Sequence, residues 1–329
     1  MSFIEMFKAG FVNIVGNPNV GKSTLMNQLV GEKLSIATFK AQTTRHRIMG
    51  IVNEPDCQIV FSDTPGVLKP NYKMQEMMLQ FSESALADAD ILLYVTDVVE
   101  DPEKNMDFLE KVSKMTIPVI LLINKIDELG TTPSSAAENG GKKTAEGRSA
   151  KKNAPSVAVN PTERLGKLVD LWHRLLPKAE ILPISAANKF GTDVLIKRIK
   201  ELLPESPAYF DTDQLTDKPA KFFVSEIIRE KILRYYDKEI PYSVEVVVER
   251  FKDSGSVIHI NAVIYVERDS QKGIIIGHQG QALKKVSSEA RRSLEKFFGK
   301  KIYLETFVKV DKDWRNNQHE LKNFGYDPE

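Results

Sequence analysis

The sequence predicts two folded units: an α/β domain with a mostly parallel sheet and helices on both faces, then a small α+β domain. Three observations predict it. Over the first two hundred or so residues, short apolar runs alternate with amphipathic stretches, the pattern of strands joined by crossover helices. Residues 204–220 are rich in proline and acidic side chains, as interdomain linkers are. Beyond them the order changes to helix, two strands, two helices and a strand. The expected domains are therefore 1–203 and 221–329.

In the first domain the expected strands are residues 11–15, 57–61, 91–95, 119–123 and 181–184, all apolar runs. The expected helices are 22–30, 75–87, 102–114, 161–176 and 192–202. Residues 130–160 break the pattern, with four glycines, two prolines and no leucine, isoleucine or aromatic residue. Such a segment buries too little apolar surface to offset the entropy of ordering. It reads as a flexible insertion between a strand and a helix. Its five basic and two acidic residues read as a solvated loop rather than an RNA contact. In the second domain, a helix at 225–237 leads to strands at 243–250 and 257–267. A glycine-bearing segment (273–280), a helix (281–298), a strand (301–309) and a short tail follow.

The 329 residues include 46 Lys and Arg against 45 Asp and Glu, a formal net charge of +1. A broadly basic, histone-like protein is excluded, and any nucleic-acid contact must come from a local patch. Cys57 is the single cysteine, so no internal disulfide or cysteine zinc site can form, and a reducing, cytoplasmic location is expected. The longest apolar runs fall well short of the roughly 18 residues that span a bilayer. No basic stretch followed by an apolar core opens the chain.

Gly16-Asn17-Pro18-Asn19-Val20-Gly21-Lys22-Ser23-Thr24 fits G-x-x-x-x-G-K-[ST] between an expected strand and helix. Phosphate concentrates negative charge, and the backbone N–H groups of Asn19, Val20, Gly21, Lys22 and Ser23 can surround it at a helix N-terminus. Lys22 would reach the β- and γ-phosphates, and the Ser23 hydroxyl would ligate Mg²⁺.

Asn124-Lys125-Ile126-Asp127 follows the strand at 119–123. A carboxylate at Asp127 can accept from guanine N1–H and N2–H₂. Adenine offers no such pair, and buried polar sites reject mismatched ligands by factors of roughly 10⁴. Asn124 would bridge base and phosphate loop, and the Lys125 stem would cover the base. Ser185-Ala186-Ala187 would offer backbone donors to the guanine oxygen. Asp63-Thr64-Pro65-Gly66 follows another strand. Asp63 would hold Mg²⁺ through water, and the Gly66 N–H would meet the γ-phosphate. Of Thr43 and Thr44, the candidate that closes over Mg²⁺ with GTP is Thr44, beside Arg45. The candidate catalytic groups are Lys22, Thr44 and Gly66.

These motifs resemble the translation-factor class of P-loop GTPases. Where Ras-like enzymes carry a water-orienting glutamine, this chain has Val67, so slow intrinsic hydrolysis is expected. In the subgroup with G-x-P-N-x-G-K-S, the asparagine matching Asn19 helps bind K⁺ in place of an arginine finger. The resemblance implies K⁺ as an activator here.

In the second domain, Gly277-His278-Gln279-Gly280 is a G-x-x-G loop between helical segments, where a nucleic-acid backbone can pass close to the protein backbone. Residues 268–301 hold nine basic and three acidic residues, a local +6 against +1 overall. The RNA-binding candidates are Gly277, His278, Gln279, Gly280, Lys284, Lys285, Arg291 and Arg292, with residues 274–276 as an apolar floor for bases. His278 reads equally as a stacking ring or a polar loop tip.

The loop, in this element order, resembles a type II KH domain. A GTPase domain followed by such a KH domain resembles the Era family of ribosome-assembly GTPases. KAQTTRHRI at 40–48 and TDKPAKFFVSEIIREK at 216–231 add to the likeness. Asn17 stands where that family often has arginine, and the insertion at 130–160 departs from its usual compact form. The resemblance implies GTP and GDP as ligands, binding to 16S rRNA near its 3′ end, and a role in assembly of the 30S subunit. It also implies peripheral association with the inner face of the cell membrane. A monomer is expected. Three rivals remain at this stage: a tRNA-modifying or tandem-domain GTPase, an RNA-binding scaffold with a structural nucleotide site, and a metabolic ATPase.

Overall fold

The computed structural model describes residues 7–130 and 160–327. The insertion expected at 130–160 lies outside them except at its two ends. The first part runs β1 (Lys8–Gly16), α1 (Lys22–Val30), β2 (Ile48–Asn53), β3 (Cys57–Asp63), α2 (Lys73–Ala87), β4 (Ile91–Asp97), α3 (Met106–Ser113), β5 (Val119–Asn124), α4 (Pro161–Leu175), β6 (Glu180–Pro183) and α5 (Thr192–Leu202). The second runs α6 (Ala220–Tyr235), β7 (Val244–Asp253), β8 (Val257–Val266), α7 (Asp269–Ile276), α8 (Gln281–Phe298), β9 (Lys301–Val310) and α9 (Gln318–Asn323).

The first sheet has the order β2-β3-β1-β4-β5-β6. All neighbours are parallel except β2 and β3. Alternate β1 residues enter different cores: Ile14 packs with Leu25 and Met26 of α1, and Val15 with Phe108 of α3 and Trp172 of α4. Period-two alternation across a sheet covered on both faces produces this. The carboxyl ends of β1, β3, β4 and β5 carry the loops that build the site, as open α/β sheets require.

The second sheet has the order β7-β8-β9, antiparallel then parallel. Val286, Ala290 and Leu294, four residues apart on α8, join Ile228 and Ile232 of α6 against Ile258, Ile260 and Ile264 of β8. The opposite sheet face carries no helix of this cluster.

The structure departs from the sequence reading in four places. The edge strand β2 was not expected, because Gly50 interrupts its short apolar run. That glycine makes room for α1: a Cβ there would lie 2.7 Å from Val30 Cγ2 and 2.8 Å from Met26 Cε, and these side chains would have to shift. The helix expected at 102–114 opens as a 3₁₀ turn (Pro102–Asn105) before α3. The segment read as a linker is a strap along β2 and β3. Leu215 O accepts from Ile51 N at 2.8 Å, Thr216 Oγ1 donates to Met49 O at 2.6 Å, and Gln58 Oε1 accepts from Tyr209 N at 2.7 Å. It satisfies an edge whose donors and acceptors would otherwise be open. The tail is a packing element: fully buried Trp314, Leu321 and Tyr326 cluster with Met74, Met77, Met78 and Phe81 of α2. Among the described residues, no helix is long and apolar enough to cross a membrane.

Because Trp314 is fully buried between the two parts, Trp314→Ala should cost about 3–5 kcal/mol. Denaturant unfolding would read this as a clear drop in the transition midpoint; a shift within error would show that the tail cluster is not cooperative with the rest.

Candidate functional site

The turn from β1 into α1 makes a cradle because Gly21 sits at φ 97° as the helix N-cap, a left-handed conformation that glycine adopts freely. A Cβ there would also lie 2.3 Å from Asn124 Nδ2. Pro18, Asn19, Gly21, Lys22, Ser23 and Thr24 line one side of a cavity of about 220 Å³. Lys22 is buried, and its ammonium donates to Gly16 O at 2.9 Å and Asn17 O at 2.8 Å. Burial lowers its pKa to about 8, against the opposing pull of Asp63 and Glu100.

Three oxygens from distant segments meet beside it. Ser23 Oγ donates to Asp63 Oδ2 at 2.7 Å and lies 2.8 Å from Thr44 Oγ1, which is 3.2 Å from Asp63 Oδ2. Thr43 Oγ1 turns away and donates to Lys40 O at 2.6 Å. Asp63 is fully buried, and its Oδ1 has no partner. Burial raises its pKa, opposed by the bonds from Ser23 and Thr44 and by Lys22. Two hydroxyls and a carboxylate with a spare buried oxygen form a hard donor set that suits Mg²⁺.

Gly66 also lines the cavity. Thr64 and Pro65 hold the loop: Thr64 Oγ1 donates to Ile14 O, and Pro65 O accepts from Ser82 Oγ, each at 2.8 Å. Val67 is buried in the core with Val15 and Phe108 and presents no polar group to the cavity.

On the base side, Asn124 donates to Val20 O at 2.8 Å and accepts from Ala186 N at 2.9 Å. It thereby ties the phosphate loop to the Ser185 turn. Ser185 is buried and Ala187 exposed. Lys125 lines the cavity and pairs with Asp97 at 2.7 Å. Asp127 stands exposed on the turn after β5.

Several residues of this region escaped the sequence reading. Asn17 is held by Glu100 and Asn105, and Asn105 also donates to Val67 O at 3.2 Å. No motif marks Glu100 or Asn105. Arg45, noted only as a neighbour of Thr44, is 1% exposed and leaves the first domain altogether. Its guanidinium donates to Val244 O at 2.6 Å, Pro241 O at 3.1 Å and Glu245 Oε2 at 3.2 Å. Tyr326 Oη donates to the same carboxylate oxygen at 2.7 Å. Burial opposes the Arg45 charge, but Tyr326 and Glu245 outweigh it and hold its pKa above the usual value. Arg229 of α6 donates to Thr43 O and is paired with Glu226 at 2.6 Å. His46, half-buried and packed against Tyr326 at 4.4 Å between ring centroids, has its pKa pushed down to about 3 by desolvation and the nearby cations.

In the second domain, Gly277 and Gly280 flank an exposed His278 and Gln279, and Gly280 caps α8. The helix N-terminus and exposed Lys284 suit an anion. Lys285 lies 4.3 Å over the Tyr235 ring. Arg291 and Arg292 are engaged with Glu295 and Glu289, each at 2.6 Å. Of the apolar floor expected at 274–276, α7 turns Ile275 into the core, while Ile274 is half-exposed and Ile276 partly buried.

Residues 11–125 match the family described as 50S ribosome-binding GTPase, and residues 239–315 match the KH domain family. A GTPase Era from Clostridium kluyveri is 41% identical, covering 98% of this chain and 100% of that protein. One from Geotalea daltonii is 40% identical, covering 98% and 99%. The crystal structure of Era with MgGDPNP and nucleotides 1506–1542 of 16S ribosomal RNA is 35% identical, with a TM-score of 0.85, covering 98% of this chain and 100% of that one.

A lysine whose pKa is lowered to about 8 loses its charge above that pH, and phosphate binding must restore it. Nucleotide binding should therefore take up protons at pH 8.5 and weaken by up to about tenfold per pH unit beyond 8. Below pH 7, where Lys22 is already charged, this uptake disappears. Calorimetry with GDP in two buffers of different ionisation enthalpy checks it; equal heats at pH 8.5 would exclude it.

Proposed function

We infer that this chain, which belongs to the Era family of GTPases, uses GTP hydrolysis to govern its grip on 16S rRNA near the 3′ end during 30S subunit assembly. The observation that carries the reading is the pair Thr44 and Arg45. Thr44 faces Ser23 and Asp63, while the next side chain is buried in the domain that holds the G-x-x-G loop. The division into domains 1–203 and 221–329 is part of the same proposal.

Gly16, Asn19, Val20, Gly21, Lys22, Ser23 and Thr24 cradle the phosphates. Ser23 and Thr44 would hold Mg²⁺, with Asp63 acting through water, and the ion would neutralise phosphate charge. Lys22 and the Gly66 N–H stabilise charge on the transferred phosphoryl group as water displaces GDP. Asp127, with Asn124, Lys125, Ser185, Ala186 and Ala187, selects guanine. Buried Val67 orients no water, so unassisted turnover is slow. Asn19, at the cavity wall, is the candidate for a K⁺-dependent enhancement; equal rates in sodium and potassium buffers would remove that role. Gly277, His278, Gln279, Gly280, Lys284, Lys285, Arg291 and Arg292 face RNA. A monomeric state, a cytoplasmic location and peripheral membrane attachment belong to the proposal and are supported by family resemblance alone.

Lys22→Ala should abolish GTP binding and leave RNA binding by the nucleotide-free protein intact. Gly277→Asp with Gly280→Asp should do the reverse, setting carboxylates against phosphate. Loss of both activities in each folded variant would refute the division of labour.

Coupling is reciprocal: a GTP analogue should tighten binding of the 3′ rRNA fragment by the same factor as that fragment tightens the analogue. Arg45→Lys keeps the charge but removes the forked donor set. It should bring both factors toward one while leaving GDP affinity within about threefold, less than 1 kcal/mol. Titrations in both orders check this; unchanged factors would show that Arg45 is not the link.

A further inference from the structure

The sheet face of the second domain opposite α6 and α8 is not uniformly polar. Tyr303 and Phe307 of β9 are 52% and 51% exposed, and His259 of β8 is exposed beside them. The register pairs His259 with Tyr303 and Val263 with Phe307, so all three rings stand on one face. The His259 and Tyr303 rings are 5.5 Å apart. Four residue steps along β9 carry Tyr303 to Phe307, about 13 Å, enough for two bases to stack separately.

The charges around the rings are not neutral. Lys252 is paired with His259 in the register and Arg250 with Asn261, and Lys301 starts β9. Among the described residues these three cations enter no ion pair. The nearby acids are largely occupied: Glu249 is paired with Lys309 at 2.9 Å and Asp253 with Lys300 at 2.6 Å, and Glu305 accepts from Tyr303 Oη at 3.1 Å. The other end of this face is closed by the tail, where Phe324 packs 5.3 Å from Tyr265. What remains is three exposed rings bordered by three free cations, which complements unpaired bases strung on phosphates.

We propose that His259, Tyr303 and Phe307, flanked by Arg250, Lys252 and Lys301, form a second RNA contact that stacks single-stranded bases outside the G-x-x-G loop. The proposal rests on the RNA-binding reading above. It separates two tasks: the loop grips backbone, and the open face takes bases of an adjoining single-stranded stretch.

The test uses the full-length protein and a labelled RNA covering nucleotides 1506–1542 of 16S rRNA. Tyr303→Ala and Phe307→Ala should each weaken binding on the order of tenfold, the size of one lost stack. Tyr303→Trp, which keeps a stacking ring, should restore it. Ultraviolet crosslinks to the wild-type protein should include the peptide spanning 301–309. Unchanged melting temperature and GDP affinity would show that the alanine variants are folded. Wild-type RNA affinity in the folded variants, or a lost protein partner with RNA binding unchanged, would overturn the platform. Failure of the wild-type protein to bind this RNA would instead overturn the RNA reading itself.

Discussion

One peptide unit joins the two functions. The Cα atoms of Thr44 and Arg45 are neighbours, about 3.8 Å apart across a trans peptide. Yet one side chain reaches Asp63 and the other is buried against Glu245. Arg45 cannot leave its site cheaply. Breaking a buried pair by removing one partner costs about 3–5 kcal/mol, because the remaining charge stays buried. Here that charge would be Glu245, 6% exposed. A displacement of Thr44 must therefore either drag the second domain or break the pair. Such packed, charged contacts favour discrete arrangements over gradual deformation.

The same contact suppresses the charge of a histidine. His46 touches Tyr326 and Phe222 within it and would be a natural sensor near neutrality. With a pKa pushed down to about 3 by burial and the nearby cations, it is neutral near pH 7. Tyr326, raised by burial and by Glu245, keeps its proton. Arg45 keeps its charge. The aromatic and cationic members of this contact thus hold fixed protonation states near neutral pH.

The chemistry of the nucleotide site was legible because it is written in contiguous motifs. Gly21, Lys22 and Ser23 are neighbours, and so are Asn124 and Lys125. The strand and helix pattern was legible for the same reason, since period and length are local. What was missed depends on contacts between distant residues. Nothing near Gly50 signals a strand until α1 is laid across it. The tail looked inert because Trp314 and Tyr326 have no periodic partners; their partners lie on α2, some 240 residues earlier. The strap at 204–219 has the composition of a linker, and its role comes from the open edge of β2. Arg45 is marked in the sequence only by its place beside Thr44; its burial requires Glu245, 200 residues away.

These distant contacts are unevenly placed, and the placement has a consequence. The segment carrying Thr44 touches the second domain through Lys40, Gln42, Thr43 and Arg45. The helix following Gly66 touches it through Met74, whose N–H donates to Arg315 O at 2.9 Å, and through the Trp314 cluster. Both segments begin at the cavity wall, at Thr44 and at Gly66. On the base side, Asn124 and Ala186 bond back to the phosphate loop and to each other's turn. Among the described residues, none of the hydrogen bonds or ion pairs of Asn124, Lys125, Ser185 or Ala186 reaches residues 221–327. In the proposed site the fold thus separates two decisions. The turns assigned to base identity make no hydrogen bond or ion pair with residues 221–327 among the described residues. The segments assigned to the terminal phosphate are the ones bound to that domain. A ligand shifts an equilibrium only by its difference in affinity for the two states, and under the proposed assignment that difference would lie at the terminal phosphoryl group.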